Sequence, residues 1–195
     1  RPIFMEFLRR CQKDNVYFES FAQNDAQEFI TLFVDFLHHS IKRKVRIEIS
    51  GEPQTEYDRI KIESIISWKR FFESNYSYII NNFYSRMISF TSCPDCKYVT
   101  KNHEPISTIT LTLEEEYTTL YDCLNEFTSE TTLDSDNSWT CDNCNKSVCP
   151  QKKVTFWELS SVLIFTVKQF RNGKKINHHI NFPEYLNMEK YCMNI

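Results

Sequence analysis

Apolar side chains recur at helical spacing through the first third of the chain and give way to short β-prone runs in the rest. Ile3, Phe4, Phe7, Leu8 and Cys11 share one face of a helix predicted over residues 3–12, followed by a polar loop to about Asn24. The clearest helix covers 25–41, where Ala26, Phe29, Ile30, Phe33, Phe36 and Leu37 form one apolar stripe. Gly51-Glu52-Pro53 interrupts the chain. A second amphipathic helix is predicted over 63–72, with Ile65, Ile66, Trp68 and Phe72 available for burial, and a short helical piece over 77–82.

From Phe83 onward the period changes. Strands are predicted over 83–91, 98–103 and 106–113, then a helix over 120–127, then strands over 153–158, 162–170 and 176–182. Residues 162–167 are almost continuously apolar, as in a central strand covered on both faces. Helices followed by strands read as an α+β fold.

Composition removes several function classes. A chain of 195 residues, 41% of them hydrophobic, can bury one core, as one domain or a domain with a subdomain. With 23 basic and 26 acidic side chains there is no cationic excess for nucleic acid. The run Lys42-Arg43-Lys44 with Arg46 reads as a solvated helix end. Two glycines, Gly51 and Gly173, cannot build a phosphate-cradling loop, and turns with positive φ must fall on Asn and Asp. No apolar run reaches 18 residues, so no membrane-spanning helix is expected, and no secretory leader opens the chain. We expect an intracellular protein. The chain starts at Arg1-Pro2 and closes on Met193-Asn194-Ile195, which reads as an internal segment of a longer protein.

Four of the eight cysteines form two Cys-x-x-Cys pairs, Cys93/Cys96 and Cys141/Cys144. Each turn presents two sulfurs to one point, and two turns supply the four thiolates of a structural Zn²⁺ site. The 44 residues between the pairs, 97–140, are too many for a minimal zinc ribbon, so the ion would clip distant parts of a larger fold. Cys149 is a substitute ligand or a free thiol, and His103 is a further ligand candidate. Cys11 and Cys123 sit on apolar helical faces and read as structural thiols, while His38 and His39 read as surface residues at a helix end. At the start of the helix over 25–41, Asp25 and Glu28 resemble a capping box. The same carboxylates could instead hydrogen-bond an extended peptide or an arginine lying across the helix start.

These elements together resemble the ubiquitin-specific protease family of zinc-bearing cysteine deubiquitinases. The run from Gln23 to Phe29 is similar to its Gln-Gln-Asp-Ala-Gln-Glu-Phe helix start, with Asn24 at the second Gln. Phe83 through Cys96 resembles its first zinc knuckle, followed by Glu104-Pro105-Ile106. Trp139 through Cys144 resembles its second knuckle, and residues 162–170 the strand ending in Leu-Lys-Arg-Phe, before Asn181-Phe182-Pro183. Ser85 and Gln169 depart from the family's Gly and Arg.

The resemblance implies part of a papain-like cysteine protease fold. Its helical thumb portion would be residues 1–82, its zinc-ribbon-like β fingers with adjoining palm strands 83–160, and further palm strands 161–195. It implies a structural Zn²⁺ on Cys93, Cys96, Cys141 and Cys144, with ubiquitin or ubiquitinated proteins as partner. Asp25, Glu28 and Phe170 are the implied substrate contacts, and Glu114-Glu115-Glu116 could meet a basic face of ubiquitin. The family's nucleophile box and its His box both lie outside this chain, so no residue here is assigned a catalytic role; His178-His179 falls where the family has an ordinary strand. A monomer that binds neither nucleic acid nor membrane is expected. The alternatives are a catalytically inactive ubiquitin-binding scaffold and, from a different class, a zinc-ribbon nucleic-acid-binding module.

Overall fold

The computed structural model of the protein describes residues 2–14, 25–171 and 174–193; Gln23, Asn24 and most of the polar loop expected before them lie outside these, as does the side chain of Cys11. Helix α1 spans Pro2–Asp14 and α2 spans Ala26–Ile41. They meet through Phe7, whose ring lies edge-on to Phe29, Phe33 and Phe36 at centroid distances of 6.2, 5.5 and 6.0 Å. The expected α2 stripe is only half covered. Val34 is buried, but Ile30, Phe33 and Leu37 keep 40%, 41% and 38% of their surface exposed.

Helix α3, Glu56–Phe72, starts well before the expected residue 63. Thr55 accepts the Asp58 N–H while the Asp58 carboxylate accepts the Thr55 N–H, a capping box that sets the first helical residue three positions after Pro53. The charged run at 56–62 hides this first turn from a reading of apolar spacing, although Ile60 within it is almost fully buried. A short helix α4, Tyr78–Phe83, leads into the sheet.

Strands β1 (Ser85–Ser92) and β2 (Val99–Ile106) form an antiparallel hairpin, joined after β3 (Thr108–Thr112), helix α5 (Leu120–Thr128) and β4 (Thr131–Thr132) by β7 (Gln151–Glu158). Between β4 and β7 lies a small hairpin of β5 (Trp139–Thr140) and β6 (Ser147–Val148). The four-stranded sheet has the order β2-β1-β7-β4. Pro105 sits on β2, an edge strand, where a missing N–H costs no ladder bond. Alternation sends Met87 and Phe156 to one face and Ile88, His103 and Thr155 to the other. The first face packs on α5, through Cys123 and Leu124, to form the main core, closed from the C-terminal stretch by Ile180 and Tyr191. The second face receives α3.

Strand β8 (Ile164–Lys168) pairs in parallel with β3, Thr108 opposite Ile164 through Thr112 opposite Lys168. The expectation that this apolar run is covered on both faces is corrected. Residues 163–167 are only half-buried and Val162 is exposed, because among the described residues β8 is paired on one side alone. The strand expected over 176–182 is also corrected. Strand β9 (Phe170–Arg171) pairs with β10 (Lys174–Lys175), and the following run is irregular, with a single bridge between Thr119 and Asn181. Its alternation survives without a ladder: Ile180 is buried, whereas His179 and Asn181 are exposed.

No described helix is long and apolar enough to cross a membrane.

Candidate metal centre and acidic groove

Two turns of the same construction carry the paired cysteines. In the first, Lys97 N–H donates to Cys93 O at 3.0 Å and Cys93 N–H donates to Tyr98 O at 2.9 Å. In the second, Asn145 N–H donates to Cys141 O at 2.8 Å and Cys141 N–H donates to Lys146 O at 2.9 Å. Each turn closes on a left-handed residue, Lys97 at φ 62° and Asn145 at φ 56°. Asn tolerates this region. A lysine does not, and the strain for an L-residue is about 1 kcal/mol. Lys97→Gly is therefore expected to raise stability by roughly 0.5 kcal/mol once the extra chain entropy of glycine is subtracted, measured by denaturant unfolding with metal present.

The turns face each other. The four Sγ atoms all lie within 4.8 Å of one another, with Cys93 to Cys144 at 3.9 Å and Cys96 to Cys141 at 3.6 Å. Sulfurs bound at about 2.3 Å to one tetrahedral ion stand about 3.8 Å apart, which these separations bracket. Cys93 and Cys141 are buried, and Cys96 and Cys144 are half-buried. Across the turns Lys146 Nζ pairs with Asp95 Oδ2 at 3.1 Å.

A hydrogen bond from the Asn143 side chain, helped by the Tyr98 N–H, pulls the Cys96 thiol down to about 6. The Lys146 N–H favours the Cys144 thiolate, but desolvation and the hydrogen bonds shared with Cys141, Cys96 and Cys93 outweigh it and push that thiol up to about 11. Cys96 is thereby held toward its thiolate form and Cys144 toward its thiol form. The residues fit a metal, and a closed shell of four sulfurs leaves no position for substrate.

Cys149 stays outside the group. So does His103, whose candidacy as a ligand is corrected: its ring lies against Glu63 on α3, Nε2 to Oε2 at 3.4 Å. His38 is not a free surface residue, since its Nδ1 contacts Ser77 Oγ at 2.8 Å and burial lowers its pKa. Cys123 is fully buried, as expected of a structural thiol. His178 Nε2 meets the Tyr117 carbonyl, tying the irregular C-terminal run to the loop that follows Glu114-Glu115-Glu116. Buried Ser85 receives the Ser160 N–H on its Oγ at 3.0 Å, so it holds the start of β1 to the segment before β8.

At the start of α2, Asp25 Oδ1 accepts the N–H groups of Gln27 at 2.7 Å and Glu28 at 3.2 Å. The cap is real, and the carboxylate also lines a groove of about 520 Å³ with Gln27, Glu28, Thr31, Leu32 and Asp35. Asp25 and Glu28 are therefore brought together. Phe170 is not part of that lining; it stands 69% exposed on the β9–β10 hairpin. Sequence reasoning missed Asp35 and Thr31 as groove residues. The signal was present in their spacing from Asp25 and Glu28, which puts them on one helical face.

A family model described as ubiquitin carboxyl-terminal hydrolase matches residues 4–195. The chain is 27% identical over 197 residues to ubiquitin carboxyl-terminal hydrolase 4 of Eremothecium gossypii, covering 97% of this chain and 23% of that protein. It is 26% identical over 185 residues to ubiquitin carboxyl-terminal hydrolase 2 of Bos taurus, covering 91% of this chain and 30% of that one. Among solved structures it resembles the SAGA deubiquitinase module of Ubp8, Sgf11, Sus1 and Sgf73 bound to monoubiquitin. That match has a TM-score of 0.71 and 24% identity, over 98% of this chain and 38% of the other. The same module bound to ubiquitin aldehyde gives a TM-score of 0.68. The chain thus spans between 23% and 30% of the length of these two curated relatives. With the family match running across nearly its whole length, the chain belongs to the ubiquitin carboxyl-terminal hydrolases, the cysteine deubiquitinases of ubiquitin-specific protease type.

Proposed function

We propose that this chain is the ubiquitin-gripping portion of a ubiquitin-specific cysteine protease, which hydrolyses peptide or isopeptide bonds at the ubiquitin C-terminus with a nucleophile and a histidine supplied from outside residues 1–195. The helices up to α4 form the thumb portion, residues 1–82. The sheet with its two knuckles forms the fingers, 83–160, and the strands from 161 onward belong to the palm. Zn²⁺ on Cys93, Cys96, Cys141 and Cys144 fixes the tip of the fingers. The observation that carries this reading is the groove at the start of α2, where Asp25 and Glu28 stand on one face with Asp35. An extended, basic tail offers N–H and guanidinium donors that such a row of carboxylates accepts, and charge-assisted bonds of this kind are the strong ones. The fold shared with a structure solved with monoubiquitin supports the same partner. Phe170, exposed on its hairpin, is the remaining proposed contact.

Ubiquitin carrying a C-terminal electrophile is the direct test. A covalent adduct on a cysteine outside residues 1–195 is expected. Binding without an adduct would favour the inactive scaffold, and no binding by titration calorimetry would sink the proposal. Within the groove, Asp25→Ser keeps a helix cap while removing the charge. Combined with Glu28→Gln, it is expected to weaken ubiquitin binding about tenfold or more, from the loss of charged hydrogen bonds. Unchanged affinity would show that the tail lies elsewhere.

A further inference from the structure

Helix α3 sits on the sheet through a seam of polar and charged groups. Glu56 Oε1 pairs with Lys101 Nζ at 2.6 Å, and Ser67 Oγ donates to the His103 carbonyl at 2.7 Å. Arg86 reaches Ser64 Oγ at 3.4 Å, lays its guanidinium over Trp68 at 5.3 Å and pairs with Glu158 on β7. In the middle of this seam the His103 side chain is 7% exposed. Its Nε2 faces Glu63, but its Nδ1 is buried without any hydrogen-bond partner, the one such side-chain atom among the described residues.

That geometry fixes the tautomer. The proton belongs on Nε2, where Glu63 accepts it, and Nδ1 is left as a bare acceptor. A second proton would create a buried donor with nothing to receive it, next to the cations Arg86 on β1 and Lys101 on β2. A buried donor without a partner costs about 1–3 kcal/mol, and a charged one more. We propose that His103 is an acid-operated latch: neutral, it lets α3 close on the β2 edge of the sheet, and protonated, it pushes the helix off. Because α3 joins the α2 region to α4 and β1, release would change how the helical part sits on the sheet that carries the knuckles.

Burial lowers the His103 pKa below its ordinary 6.5, with Lys101 and Arg86 acting in the same direction and Glu63 against them. The sign follows. A group whose pKa is depressed in the closed state supports closure above its free value and withdraws that support as pH falls through it, so the seam loosens below about pH 6.5.

The experiment is amide hydrogen exchange on the zinc-loaded protein at about pH 7.5 and about pH 6, corrected for intrinsic exchange rates. Protection across α3 is expected to fall severalfold at the lower pH in the wild type and to stay level in His103→Gln. Equal protection at the two pH values, or the same fall in the variant, would overturn the latch. Glu63→Gln, at an exposed position, removes the carboxylate that eases protonation and should deepen the fall. If His103→Gln does not fold, a fall no deeper in Glu63→Gln than in the wild type rejects the proposal.

Discussion

Stripping zinc from the protein with a chelator is expected to lower its melting temperature steeply and to unfold the knuckle end of the four-stranded sheet, and Cys141→Ser should do the same without a chelator. A structural zinc contributes on the order of 10–16 kcal/mol of apparent binding free energy, while a whole domain is stable by only about 5–15 kcal/mol. Here the ion would join the end of β1 to the β5–β6 hairpin, two segments otherwise linked across the cluster by an exposed ion pair between Lys146 and Asp95 and by the Asn143 side chain's hydrogen bond to Cys96. Such a pair is worth well under about 1 kcal/mol and cannot hold the tip alone. Zinc content by elemental analysis and hydrogen exchange in β1, β2 and β7 would report the change. Cys149→Ser is the control, since Cys149 lies outside the cluster. An unchanged melting temperature after metal removal, or equal effects of Cys149→Ser and Cys141→Ser, would rule out a structural zinc on these four residues.

The second large effect is expected from Phe156→Ala. Phe156 is fully buried on the face of β7 that packs on α5, its ring stacked on Phe127 at 6.0 Å, and Met87 opposes it across the sheet. Removing a buried phenyl ring forfeits its transfer free energy and leaves a cavity that a sheet and a helix cannot collapse to fill. The loss should be about 3–5 kcal/mol, seen as a lower urea midpoint. Lys153→Ala, on the same strand but exposed, should change stability by no more than about 0.5 kcal/mol. A loss under about 1 kcal/mol for Phe156→Ala would mean that α5 and the sheet do not share one core.

The four-cysteine cluster was legible because its chemistry is local. Two Cys-x-x-Cys turns declare their ligands without reference to the rest of the fold, and the structure brings all four together. The α2 helix was legible from spacing alone, and Asp25 from its place before the first apolar residue. What escaped depended on tertiary partners. The start of α3 is set by a Thr55–Asp58 exchange inside a charged run, where apolar periodicity is silent. The latch histidine looked like a knuckle ligand because it follows the first pair closely. Only the register of β2 on β1, with His103 opposite Ile88, sends its ring toward α3. The run around Ile180 keeps a strand's alternation without forming a ladder, since alternation reports which side is buried and not whether a neighbour is present.

Each cysteine turn is closed by its own two backbone bonds, so the bite of each pair is set within six residues. The stretch 134–138 lies before the second turn, exposed and folded back on itself by the Asp134 side chain, which accepts the Asn137 N–H. It acts as a tether, and doubling the length of a flexible tether costs only about 0.6 kcal/mol. The spacing of the sulfurs and the length of the tether are thereby decoupled, which makes this bend the natural place for the chain to grow, shrink or carry a graft while the four cysteines stay together.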